Sequence, residues 1–89
     1  MNEIGEVFVK VVVRYFASIR ELTGVKEEEI ELPYGGTIEN LIREATERHS
    51  MLKAQNMAII VSVNGELAEA SRHLKPTDEV AMFPPVSGG

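Results

Sequence analysis

Val7-Phe8-Val9-Lys10-Val11-Val12-Val13-Arg14-Tyr15-Phe16 is a stretch of β-branched and aromatic residues broken only by two cations, a composition that favours a strand. Side chains alternate across a strand, so Lys10 and Arg14, four apart, share one face. The opposite face is then Val7, Val9, Val11, Val13 and Tyr15, an unbroken apolar set suited to packing beneath a helix. The rest of the chain has to supply that helix and the neighbouring strands.

Ala17 to Leu22 is short and helix-compatible. Thr23-Gly24 ends it, because Gly takes the left-handed conformation that closes a helical turn. Glu27 to Leu32, closed by Pro33, reads as an edge strand whose acidic side chains discourage pairing with other molecules. Tyr34-Gly35-Gly36 turns the chain into Thr37, an N-cap whose hydroxyl accepts from a free amide of the next turn. Ile38, Leu41, Ile42 and Ala45 then recur at helical spacing, with Glu39, Arg43, Glu44, Glu47 and Arg48 on the wet side. Ser50 to Asn56 fits either a further turn of helix or a loop. Ala58 to Val63 reads as a strand, and Asn64-Gly65 is the dipeptide that type I′ hairpins require. Glu66 to Ala68 returns, Leu74-Lys75-Pro76-Thr77-Asp78 is turn chemistry, and Glu79 to Phe83 is a last short strand. The order β, β, α, β, β, β describes an α+β domain, a sheet of about five strands with one main helix on one face. The expected organisation is a flexible extension over 1–6, the folded domain over 7–83, and an extended, flexible tail over 84–89.

At 89 residues with 44% apolar and 26% charged content, the chain can bury one core without metal or disulfide. It has no cysteine, which removes side-chain persulfides and thiolate metal sites and fits a reducing, cytoplasmic setting. A net charge of -5 repels phosphate backbones and anionic lipid, so neither nucleic acid nor a membrane is expected as a partner. No apolar run approaches the ~18 residues of a membrane span, and Met1-Asn2-Glu3-Ile4-Gly5-Glu6 lacks the basic start and apolar stretch of a signal peptide.

The chemistry points to the end of the sequence. Pro84-Pro85 fixes φ, donates no amide hydrogen bonds and favours an extended form leading away from the sheet. From Pro84 through Val86, Ser87 and Gly88 to Gly89, six residues reach ~20 Å. An arm ending in two residues without side chains can enter a narrow channel, and nothing beside the Gly89 carboxylate hinders attack on it. Activated by ATP, that carboxylate becomes an acyl-adenylate; with sulfur as the nucleophile the product is a thiocarboxylate. In a chain without cysteine, this terminus is where reactive sulfur can be held covalently. Against this stands the plain fact that small residues are tolerated at any chain end.

Val13-Arg14-Tyr15-Phe16-Ala17 with Arg20-Glu21-Leu22-Thr23-Gly24, then Val63-Asn64-Gly65, then Asp78-Glu79-Val80 leading through Phe83 to Pro84-Pro85-Val86-Ser87-Gly88-Gly89, resemble the small-subunit family of molybdopterin synthase. The resemblance covers the chain after about Glu6. It implies a β-grasp, ubiquitin-like fold and a sulfur carrier in molybdenum cofactor synthesis. By that similarity an E1-like enzyme, using ATP, adenylates Gly89, and a sulfurtransferase or cysteine desulfurase system converts it to thiocarboxylate. The tail, Pro84 to Gly88, then enters the large subunit, where the sulfur attacks a cyclic pyranopterin phosphate. The resemblance implies a heterotetramer with the large subunit, which carries the catalytic residues, so that this chain binds no cofactor and acts as a cosubstrate. Two alternatives share the activated Gly89: a ubiquitin-like modifier conjugated to lysines, and a sulfur carrier for thiamine synthesis or transfer RNA thiolation.

The outward face of the first strand carries Phe8, Lys10, Val12, Arg14 and Phe16, and apolar residues there call for a reason. By strand parity Ala81 and Phe83 share a face, and Phe16, Phe83 and Ile60 are the expected docking patch for the large subunit and the activating enzyme. The competing reading, in which both rings are core, stays open at this point. His49 and His73 have no second ligand at metal spacing and read as solvated or helix-end residues, so no metal site is expected. Glu27-Glu28-Glu29 reads as a solvated edge, and Gly35-Gly36, lacking a following Lys-Ser or Lys-Thr, as a turn.

Overall fold

The computed structural model describes residues 7–85. The expected extension over 1–6 and the tail residues Val86, Ser87, Gly88 and Gly89 lie outside the described residues. Along the chain run β1 (Phe8–Tyr15), α1 (Ala17–Thr23), β2 (Glu27–Pro33), α2 (Ile38–Arg48), α3 (Ser50–Gln55), β3 (Ile60–Val63), β4 (Glu66–Leu67) and β5 (Glu79–Phe83). The strands form a 5-stranded sheet in the order β2-β1-β5-β3-β4. β1 is antiparallel to β2 and parallel to β5, and β3 is antiparallel to β5 and β4. This mixed sheet, with α2 packed on one face, is the β-grasp.

The period-2 pattern of β1 is realised from Phe8 on: Val9, Val11, Val13 and Tyr15 are buried, and Phe8, Lys10, Val12 and Arg14 are exposed. Val7 does not join the core. It precedes the strand at the end of the ladder, where its carbonyl accepts from Tyr34 N–H and its side chain is exposed. The buried face of the sheet is covered by Ile38, Leu41 and Ala45 of α2, with Ile19 of α1 and Leu52 of α3. Each fully buried aliphatic side chain contributes about 1.5–3 kcal/mol, so this layer is what holds the helices to the strands.

α2 begins at Thr37 as expected, and the cap is reciprocal. The Thr37 hydroxyl accepts from Asn40 N–H at 3.3 Å, and Asn40 Oδ1 accepts from Thr37 N–H at 2.9 Å. The helix stops at His49, whose extended backbone (φ -123, ψ 99) turns the chain into α3. The open choice over Ser50 to Asn56 therefore resolves as a separate short helix, anchored by Leu52. β3 starts at Ile60, two residues later than the expected Ala58. Its last partner on β5 is Phe83, and the following Pro84 has no N–H with which to extend the ladder.

The Asn64-Gly65 turn has both residues at positive φ (54° and 85°), the geometry a type I′ hairpin needs. Asn64 also ties the turn to β5: its Nδ2 donates to Asp78 Oδ1 at 3.0 Å, and its Oδ1 accepts from Glu79 N–H at 2.9 Å. Asp78 in turn accepts from Lys75 N–H at 2.8 Å. Burial alone would raise the Asp78 pKa, but the Lys75 amide, the Asn64 amide and nearby cations outweigh it and hold the carboxyl below its ordinary value. The start of β5, and with it the line along which the chain leaves at Pro84, is set by this turn.

Candidate functional site

β5 runs between β1 and β3 and delivers the chain to Pro84-Pro85, which belong to no secondary structure element. At that exit the sheet face opposite the helices collects three apolar side chains. Phe16 N–H donates to Met82 O at 3.1 Å, which sets Phe16 beside Phe83, and Ile60 is the cross-strand partner of Phe83. The Phe16 and Phe83 rings stack, with centroids 5.0 Å apart and an interplanar angle of 13°. Phe16 is 40% exposed and Ile60 38%, while Phe83 is half-buried. The reading of these rings as core residues is thereby excluded: the core lies on the other face.

Next to the stack is a groove of about 440 Å³ lined by Val12, Arg14, Phe16, Ser62, Ala81 and Phe83. Its floor is made of small residues because Ala81 sits between Arg14 of β1 and Ser62 of β3 in the ladder. The β2 side of the same face is acidic, with Glu27, Glu29 and Glu31 exposed and Arg14 held to Glu27 at 3.4 Å. An apolar centre beside a charged edge is the anatomy of a protein-docking surface.

Among the described residues no group of three or more His, Cys, Asp or Glu side chains is placed to hold a metal, and no helix is long and apolar enough to cross a membrane. His73 is exposed, with Nδ1 2.6 Å from Gly35 O. Gly35 (φ 84) and Gly36 form the expected turn, and Gly36 packs so tightly that a Cβ there would lie 3.0 Å from Leu32 Cβ.

One expectation fails on the helix side of the sheet: Glu28 is not part of a solvated edge. His49 is a helix-end residue, the second of the two alternatives, and it is not solvated: the two side chains are only 16% and 15% exposed. Tyr15 Oη donates to Glu28 Oε2, and His49 Nε2 lies 2.6 Å from the same oxygen. The carboxylate can only accept, so Nε2 carries the hydrogen. Arg48 Nη1 is 3.6 Å from Glu28 Oε1. Burial pushes the Glu28 pKa up, but the hydrogen bonds from Tyr15 and His49 and the nearby cations outweigh it and leave the carboxyl below its ordinary value. Burial first, and then the Glu28 carboxylate, push the Tyr15 phenol far above its usual range. The signal was present in the sequence: Glu28, Ile30 and Leu32 share strand parity, and both apolar members are buried.

Comparison with known proteins agrees with this architecture. The family model described as ThiS family matches residues 13–89. The chain belongs to the ThiS family. Among curated relatives of this ThiS-family chain, the human molybdopterin synthase sulfur carrier subunit is 39% identical over 83 residues, spanning 90% of this chain and 94% of that one. A solved Pyrococcus furiosus structure assigned as molybdopterin converting factor, subunit 1 superposes with a TM-score of 0.78 at 41% identity, covering 88% of this chain and 99% of that one. The small archaeal modifier protein 1 of Methanosarcina acetivorans superposes with a TM-score of 0.75 at 26% identity, covering 93% and 99%.

Proposed function

We propose that this ThiS-family chain is the sulfur carrier subunit of a molybdopterin synthase, carrying sulfur as a thiocarboxylate on Gly89. The observation that carries the reading is the placement of the exit: β5 hands the chain to Pro84-Pro85 at the rim of an exposed Phe16–Phe83 stack. A partner that covers the stack is held where residues 84–89 can be drawn into its active site. The relatives named as sulfur carrier subunits support this, as does the Phe83-Pro84-Pro85-Val86-Ser87-Gly88-Gly89 run.

In the proposed cycle the Gly89 carboxylate attacks the α-phosphate of ATP on an E1-like activating enzyme, releasing pyrophosphate. The terminal sulfur of a persulfide on a sulfurtransferase or cysteine desulfurase system then displaces AMP from the acyl carbon, and a second thiol of that system cleaves the resulting acyl disulfide, leaving the thiocarboxylate on Gly89 and a disulfide on the donor side. The thiocarboxylate next acts inside the large subunit, where its sulfur attacks a cyclic pyranopterin phosphate and Gly89 returns to a carboxylate on hydrolysis. One dithiolene takes two sulfurs, so two loaded carriers are consumed per product. Phe16, Phe83 and Ile60 dock first one partner and then the other, in a cytoplasmic cycle. The carrier and the large subunit assemble as a heterotetramer. The chain itself binds no cofactor and supplies no catalytic side chain.

A second reading has specific support in the modifier-like neighbour: conjugation of Gly89 to lysine amines. Incubation with ATP, the activating enzyme and a sulfur source, followed by intact mass, tests the first reading. Replacement of one terminal oxygen by sulfur, and transfer of that sulfur to a pterin in the presence of the large subunit, is the expected result. A ladder of conjugates on denaturing gels with no pterin product would overturn it in favour of the modifier.

A further inference from the structure

Glu28 is a half-buried carboxylate for which the sulfur-carrier reading has no use, and it joins three parts of the fold. Tyr15 reaches it from the last position of β1, His49 from the corner between α2 and α3, and Arg48 from the end of α2. The His49 ring also meets the Tyr15 ring edge-on, with centroids 5.9 Å apart at 83°. No other described ionisable side chain makes a hydrogen bond or ion pair with Glu28.

The residue after Tyr15 is Phe16. Its amide donates to Met82 O, and its carbonyl accepts from Ile19 N–H at 3.1 Å and Arg20 N–H at 3.3 Å, starting α1. Between strand and helix the chain passes through Ala17 at φ 52, a left-handed conformation that is unfavourable for a residue with a Cβ. Such a backbone persists only where its surroundings over-determine it. On the α1 side the two carbonyl hydrogen bonds do this. On the β1 side the restraint is Tyr15, held through its backbone by Lys26 O at 2.8 Å and through its hydroxyl by Glu28.

We infer that Tyr15, Glu28 and His49 form a clamp that fixes how Phe16 presents its ring on the docking face, making them positioning residues for partner binding. The inference rests on the reading of Phe16 as a docking residue. The clamp lies on the opposite side of the sheet from the patch, so it acts on a partner only through the backbone of Tyr15 and Phe16. With the hydroxyl removed, Ala17 can relax toward ordinary φ, and the Phe16 ring leaves its stack on Phe83 for part of the time. Apparent affinity falls in proportion to the competent fraction.

The test uses the full chain with its large subunit and two readouts: Phe16–Phe83 ring contacts by NMR in the free protein, and Kd at a temperature where every variant is folded. Tyr15→Phe keeps the ring and removes one donor, and His49→Leu removes another. Each is expected to weaken the ring contacts and raise Kd about 3- to 10-fold. His49→Gln, whose amide can donate to the same oxygen, is expected to retain both. Thr37→Ala, which weakens the α2 cap without touching Tyr15, Glu28 or His49, is expected to lower thermal stability while leaving the Phe16–Phe83 ring contacts and Kd unmoved, as a merely structural role for the clamp would. If Tyr15→Phe fails to fold, the His49→Leu and His49→Gln pair carries the test. Ring contacts unchanged in the clamp variants overturn the inference. So do loosened rings with an unchanged Kd, and Phe16→Ala then tells which reading failed. A Kd unmoved by Phe16→Ala removes Phe16 from the docking face, whereas a weakened one leaves docking intact and removes the clamp alone.

Discussion

Replacing Phe16 by Ala should separate docking from folding, and its magnitude follows from exposure. A phenylalanine side chain has about 200 Å² of accessible surface. Phe16 is 40% exposed, so a partner that covers it removes about 80 Å² more from water, or about 2 kcal/mol at 25 cal/mol per Å². That predicts a roughly 30-fold rise in Kd for the large subunit, the size of a binding hot spot. The already buried part of the ring contributes to folding, so the same change also costs about 2–3 kcal/mol of stability, an upper figure because unfolded chains bury some apolar surface themselves. Titration calorimetry well below the melting midpoint reads the binding loss free of unfolding, and a urea melt reads the stability loss. A Kd within threefold of the parent, with the stability loss present, would refute the idea that a partner covers this ring.

Adding one alanine after Gly89 should abolish sulfur loading, read by intact mass, with the urea midpoint unchanged; retained loading would show that the acyl carbon is not at Gly89. Gly65→Ala places a Cβ at φ 85 and should cost about 1 kcal/mol, visible as a lower urea midpoint, because the turn also holds the start of β5. Glu28 and Asp78 both have pKa values below the ordinary range in the fold. A depressed folded pKa means that the stability each contributes is present above the unfolded value of about 4 and is lost as pH falls from there through the folded value. The urea midpoint should therefore be flat near neutrality and decline below about pH 5, less steeply in Glu28→Gln; a midpoint that rises on acidification would contradict the assignment.

Where a local rule had no competitor, the sequence was legible. The alternation of Val9, Val11, Val13 and Tyr15, the helical spacing of Ile38, Leu41 and Ala45, and the Asn64-Gly65 turn each settle a piece of backbone by themselves. Parity within a strand likewise puts Phe16 on the outward face of β1 and Phe83 with Ala81, and the ladder is what brings those faces together and adds Ile60. What could not be read depends on partners distant in the chain. Ile60 begins β3 because Pro84 cannot extend the ladder. His49 stands at the corner where one helix ends and the next begins, with its side chain held by Glu28 of β2, 21 residues earlier in the chain. Nothing about alanine announces a left-handed backbone at Ala17. Glu28 is hidden for a different reason: it is the middle of three glutamates, and only its parity with the buried Ile30 and Leu32 marks it as the one turned inward.

The placement of these features bears on how a consumable carrier works with more than one partner. On the proposed reading it must be released after every transfer, so its docking face cannot be too adhesive. Three partly exposed side chains beside a small-floored groove, flanked by Glu27, Glu29 and Glu31, suit that need. The apolar contacts supply a few kcal/mol, and the acidic edge steers encounter more than it adds affinity. Successive partners that cover the same stack exclude one another, so an unloaded carrier bound to the large subunit has to leave before it can be reactivated. That ordering is a consequence of having one exit for the chain, at Pro84, and one patch beside it. It predicts that excess large subunit slows adenylation by the activating enzyme, and that Phe16→Ala, by weakening the large subunit's hold, relieves that inhibition even while it slows loading itself.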